Sequence, residues 1–149
     1  AAAKMAELRE CKANGAQEID VALNNLALKS HQMDVARQEL DELLELTKGR
    51  VQMKAVFEHS IFDEDEKEAV LKMLKSSGVT FIKIQNMLSG QGARVEDVQY
   101  AASILGRHIA IKIDGGIKTL QQAQDLLAAG ASRLGLTATA KIAAEAGIH

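Results

Sequence analysis

FIKIQN, residues 81–86, reads as a buried strand with a lysine at its centre. Lysine is among the side chains least often fully buried. The same anomaly recurs in VQMKAVFE at Lys54 and in HIAIKIDGG at Lys112. Positions 54, 83 and 112 are evenly spaced along the chain, about one strand-plus-helix unit apart. The repeat sets one ammonium group inside each of three strand-like segments.

Outward from these segments the chain alternates helices and strands. A helix over 2–14 stops at Gly15, and a strand follows over 18–24. A helix over 31–47 takes Ser30 as its N-cap and Gly49 as its stop, ahead of a strand over 52–58. Asp63, with Glu66 three residues on, makes a capping box for a helix that ends near Gly78. The strand over 80–86 leads into a loop with Gly90 and Gly92 and a helix over 95–105. The strand over 108–114 runs into Gly115-Gly116, and Thr119 with Gln122 opens a helix ending at Gly130. A strand over 132–138 and a short helix close the chain. Such alternation implies an α/β fold with a parallel sheet, either doubly wound or part of a (β/α)8 barrel.

The strand faces favour the barrel. Neighbouring strand residues point to opposite sides. Met53, Ala55, Phe57, Ile82, Ile84, Ile109, Ile111 and Ile113 fall on one face, suited to packing under helices. Asp20, Lys54, Glu58, Lys83 and Lys112 fall on the other. A sheet covered on both sides reads as continuous apolar runs, whereas a barrel lumen concentrates polar groups near the C-terminal strand ends. Five strands do not complete eight. The expectation is one partial barrel domain over 1–149, holding the last five βα units. The chain opens in a helix with no strand before it and no methionine, which reads as a piece of something longer.

Composition narrows the function. The chain has 149 residues, 47% of them hydrophobic, enough for a real core. A net charge of −2 and 3% aromatics give no basis for nucleic-acid binding. The apolar runs are too short to span a bilayer. A single cysteine, Cys11, fits a reducing compartment and hence the cytoplasm. His31, His59, His108 and His149 show no metal-ligand spacing, so neither metal nor other cofactor is expected.

A free lysine, with pKa about 10.4, is a poor nucleophile because it is protonated. A neighbouring cation and desolvation both favour the neutral amine. That amine can attack a carbonyl and form a Schiff base, whose iminium draws electrons from an adjacent carbon–carbon bond. A carboxylate such as Asp20 can relay protons through water. The plainer alternatives are lysines that snorkel to solvent, an Asp20 that only pairs with one of them, and a Gly115-Gly116 that is only a turn.

GAQEIDVALN, QMKAVFEHSIF, SSGVTFIKIQ, ARVEDVQYAASIL and IAIKIDGGIKTLQQAQDLLAAGASRLGL, in this order, resemble deoxyribose-phosphate aldolase. The resemblance runs from about residue 5 to residue 140 and matches the later part of that family's barrel. It implies a class I aldolase that splits 2-deoxyribose 5-phosphate into acetaldehyde and glyceraldehyde 3-phosphate. It implies Lys83 as the Schiff-base lysine, Lys112 as the residue lowering its pKa, and Asp20 as proton relay. Lys54 and Glu58 would support the polar network, and Gly115, Gly116 and Gly135 would help hold a substrate phosphate. It also implies a homo-oligomer. Two turns depart from the family pattern: IQNMLSG after Lys83 and LTATA after Gly135. A non-catalytic partner of a longer barrel chain, or a phosphosugar isomerase-like barrel without an imine, therefore remain alternatives.

Overall fold

The computed structural model describes residues 2–49 and 51–148. Five strands form one parallel sheet in chain order: β1 (Glu18–Ala22), β2 (Gln52–Glu58), β3 (Phe81–Gln85), β4 (Ala110–Asp114) and β5 (Arg133–Gly135). The helices are α1 (Ala2–Ala13), α2 (Asn25–Lys29), α3 (Met33–Thr47), α4 (Glu64–Ser77), α5 (Val95–Leu105), α6 (Leu120–Ala128) and α7 (Thr139–Glu145). A doubly wound sheet reverses its strand order at a switch point, so that helices cover both faces. This order never reverses. Right-handed crossovers then lay every helix on the same side, and the other face is left to line a lumen.

Side-chain contacts show that the sheet curls. Flat neighbouring strands lie ~4.8 Å apart, which would separate β1 from β4 by ~14 Å and from β5 by ~19 Å. Yet Lys112 of β4 reaches Asp20 of β1 at 2.9 Å. Arg133 of β5 hydrogen-bonds Glu18 of β1, the two outermost strands of the sheet. The fold is an α/β barrel arc, with the polar face inside and the aliphatic face outside. Ala55, Phe57, Ile82, Ile84 and Ile113 of the outer face are wholly buried, along with Leu71 and Leu74 of α4 and Val98 and Ala101 of α5.

Local departures have local causes. The Asn24 side chain accepts from the Ala27 N–H and starts the short helix α2, which the hydrophobic pattern did not reveal. Ser30 therefore ends α2 rather than capping α3. His31 turns the chain with φ 56, and α3 begins at Met33 after Gln32, which makes no side-chain cap bond. The capping box of Asp63 and Glu66 is present in full, and Gly78 ends α4 in the left-handed region at φ 84. β2 has the full length that the pattern suggests, and the other strands are shorter, most of all β5, where Ser132 and Leu136 to Ala138 lie outside the ladder. Cys11 is half-buried on α1. Among the described residues, no helix is long and apolar enough to cross a membrane. His149 lies outside the described residues.

Candidate active site

The register of the sheet decides which polar side chains meet. Asp20 sits opposite Lys54, and Lys83 opposite Lys112. All four point into the lumen and converge on Asp20. Its Oδ1 accepts from Lys54 Nζ at 3.1 Å, its Oδ2 from Lys112 Nζ at 2.9 Å, and Lys83 Nζ stands 3.5 Å from the same Oδ2. Lys54 is the most enclosed of the three lysines, 3% exposed, and also pairs with Glu18 at 2.8 Å. Burial disfavours the Asp20 carboxylate, but the hydrogen bonds from Lys112 and Lys54 outweigh it and bring its pKa down to about 2.

Lys83 has a second and closer partner. Its Nζ lies 2.7 Å from Asp114 Oδ2. Burial works to lower the Lys83 pKa, but the pairs with Asp114 and then Asp20 outweigh it and raise the pKa above the ordinary lysine value. The expected depression by Lys112 is thus not the balance in this arrangement: two carboxylates near Lys83 count for more than one ammonium. Strand alternation puts Asp114 on the same lumen face as Lys112, two residues before it, but Asp114 was not among the expected site residues.

Glu58 is buried but serves a different partner. Its Oε1 accepts from Ser60 Oγ at 2.5 Å and from the Leu88 N–H at 3.3 Å, so it ties down the loop after β3. Asn86 anchors the same loop from the helix side. Its Nδ2 donates to Gly92 O at 2.8 Å and to Asp97 Oδ2 at 2.7 Å, and Asp97 lies 3.4 Å from His59 Nδ1. Burial pushes the His59 imidazole below its usual pKa against the pull of Asp97. This anchor was not legible beforehand, because it joins residues just after β2 and β3 with one of α5, which only the fold brings together.

The loops after β3 and β4 enclose a cleft of about 440 Å³, lined in part by Gly92, Asp114, Gly115, Gly116 and Lys118. Gly92 and Gly115 touch backbone to backbone: a Cβ on Gly92 would lie 3.0 Å from Gly115 O. The Ala93 N–H also donates to Gly115 O at 2.8 Å. Gly135 stands across the ladder from Asp114, where a Cβ would meet the Asp114 Cβ at 2.6 Å. Its missing side chain makes room for Asp114. A larger hollow of about 690 Å³ lies at the opposite strand ends, lined by Gln52, Gly78 and Thr80 among others, and it holds none of the lumen lysines.

Comparison with known proteins shows what the chain is similar to. The family model described as histidine biosynthesis protein matches residues 43–146, which hold β2 to β5 but not β1 with Asp20. The deoxyribose-phosphate aldolase of Bdellovibrio bacteriovorus is 35% identical over 132 residues, covering 89% of this chain and 60% of the relative. That of Clostridium tetani is 31% identical over 142 residues, covering 95% of this chain and 66% of the relative. The chain thus spans about three fifths to two thirds of the length of these curated relatives. The solved structure of an aldolase called QR15 superposes with TM-score 0.89 at 30% identity, over 97% of this chain and 65% of that one. The tetrameric deoxyribose phosphate aldolase of Aeropyrum pernix shares the fold, with TM-score 0.82 at 21% identity over 97% of this chain and 61% of that one. The chain belongs to the family that the histidine biosynthesis protein model describes, and over most of its own length it is similar to deoxyribose-phosphate aldolases.

Proposed function

We propose that this chain carries the Schiff-base centre of a class I aldolase. Its substrate would be 2-deoxyribose 5-phosphate, split reversibly to acetaldehyde and glyceraldehyde 3-phosphate, or a closely related phosphorylated aldehyde adduct. The observation that carries the reading is the convergence of Lys83, Lys112 and Lys54 on one carboxylate, Asp20, in the lumen. Lys83 is the nucleophile. Its lone pair closes on the substrate carbonyl, water leaves, and the iminium accepts the electrons of the breaking carbon–carbon bond. Lys112 keeps Asp20 ionised and aimed at Lys83, and Asp20 relays protons by way of water. Lys54 holds the far oxygen of Asp20 in place. Glu58 fixes the loop beyond Lys83. The glycine-lined cleft, with Gly115, Gly116 and Lys118, is the place for the substrate phosphate, and Gly135 helps shape its floor. The unit is one partial barrel domain, works in the cytoplasm and assembles with copies of itself.

Borohydride reduction with acetaldehyde tests the nucleophile. The intact mass should rise by one ethyl group, and peptide mapping should find it on Lys83. Lys83→Ala should lose the adduct, and with it release of acetaldehyde from 2-deoxyribose 5-phosphate. A variant labelled as well as the parent would sink the assignment. Turnover without any trapping would point instead to acid–base chemistry.

A further inference from the structure

Asp20 is fully engaged: one oxygen accepts from Lys54 and the other from Lys112. A carboxylate held near 2 by two ammonium groups is a weak base. Asp114 differs. Its Oδ2 is the nearest carboxylate oxygen to Lys83 Nζ, at 2.7 Å, against 3.5 Å for Asp20. Its Oδ1 is buried and has no hydrogen-bond partner among the described residues. It lines the cleft where substrate would enter, and Gly135 leaves the room it needs. The other charged groups of the lumen strands are Glu18, Lys54, Glu58, Lys112 and Arg133. Of these, Lys54 and Lys112 are taken by Asp20, Arg133 by Glu18, and Glu58 by Ser60 and the loop.

We infer that Asp114 is a further catalytic residue of this site, the group that carries the proton of Lys83 on the way from ammonium to iminium. The inference rests on the Schiff-base reading above. As the Nζ lone pair closes on the carbonyl carbon, one N–H proton passes to Asp114 Oδ2, and the carbonyl π pair moves onto the carbonyl oxygen. Asp114 returns that proton to the oxygen. It then takes a second proton from nitrogen and delivers it to the hydroxyl, which leaves as water while the nitrogen lone pair forms the C=N bond. The sum is ammonium plus carbonyl giving iminium plus water, with Asp114 restored as a carboxylate.

Two readouts on the full chain test this with Asp114→Asn. Acetic anhydride labelling of Lys83 across pH, read by peptide mass, reports how easily the ammonium loses its proton. Its midpoint should fall by about one to three pH units when the paired charge is removed. Borohydride trapping with acetaldehyde, at one pH below both midpoints, should nevertheless slow by roughly 100-fold. A lysine that is more often neutral yet slower to form an imine is the signature of a lost proton carrier. Gly135→Ala, which keeps the carboxylate but crowds it off Lys83, should shift both readouts the same way and provides a second variant should Asp114→Asn fold poorly. An unchanged midpoint, or trapping as fast as in the parent, overturns the role of Asp114 alone. Failure to trap the parent chain overturns the Schiff-base reading, and this inference with it.

Discussion

Asp20 is a carboxylate shared by one buried and two half-buried cations, and its removal has two costs. Lys54 would lose one of its two partners inside the lumen, and Lys112 would lose its anchor. Breaking a buried pair from one side typically costs about 3 kcal/mol. Asp20→Asn should therefore lower the urea midpoint as well as any activity. The depressed pKa adds a pH signature. From an ordinary 3.8 down to about 2, the shift corresponds to ~2 kcal/mol of stability. That stability is fully present above the unfolded value and is lost as pH falls through about 2. Urea titrations at pH 6 and at pH 2.5 should converge for the parent and Asp20→Asn as the solution becomes more acid. At this scale the sequence shows which side chains share the lumen, because alternation along a strand fixes their face. It does not show which of them pair. Lys83 pairs with Asp114 and not chiefly with Asp20, and that choice depends on sheet curl and on how a flexible four-carbon stem is aimed.

The elements carry their own instructions where capping chemistry is explicit. Asp63→Ala removes the side chain that accepts from the Glu66 N–H at the start of α4. The loss should be about 1 kcal/mol, seen as a lower thermal midpoint with activity per folded molecule unchanged. The close approach of two loops makes a different prediction. Gly92→Ala places a Cβ 3.0 Å from a backbone oxygen at φ 72. Strain of that kind costs about 1–3 kcal/mol. Because it parts the loops that form the cleft, KM for a phosphorylated substrate should rise more than kcat falls. β2 and the cap of α4 were legible because β-branched, aromatic and Asp/Glu signals agree there. The short helix α2 was not. It has one turn, and its only cue is an asparagine whose cap is recognisable once Ala27 is seen to donate to it. That one turn displaced the start of the next helix by two residues and made Ser30 an ending.

At the scale of the whole molecule, the barrel character was legible in the polar lumen face, and the missing detail was the curvature. The two outer strands, β1 and β5, each pair on one side only among the described residues. Such open strand edges invite further chain to pair with them. Light scattering of the native protein should accordingly give a mass above the 16.0 kDa of one chain; a strictly monomeric species would speak against self-assembly. The pair between Arg133 and Glu18 draws these outer strands toward each other from side chains that are 45% and 41% exposed. Salt screens exposed pairs over a few ångströms, so high ionic strength should loosen this end of the sheet before it disturbs the enclosed lysines. Gly135, finally, has a consequence for anyone who would vary this protein. The hydrogen that stands in place of its side chain is what admits a carboxylate at 114. A library that randomises position 135 alone will return mostly failures, and one that randomises 114 alone will explore only side chains that fit beneath a glycine. The two positions form an epistatic pair, and new specificities at this end of the barrel will be found by changing them together.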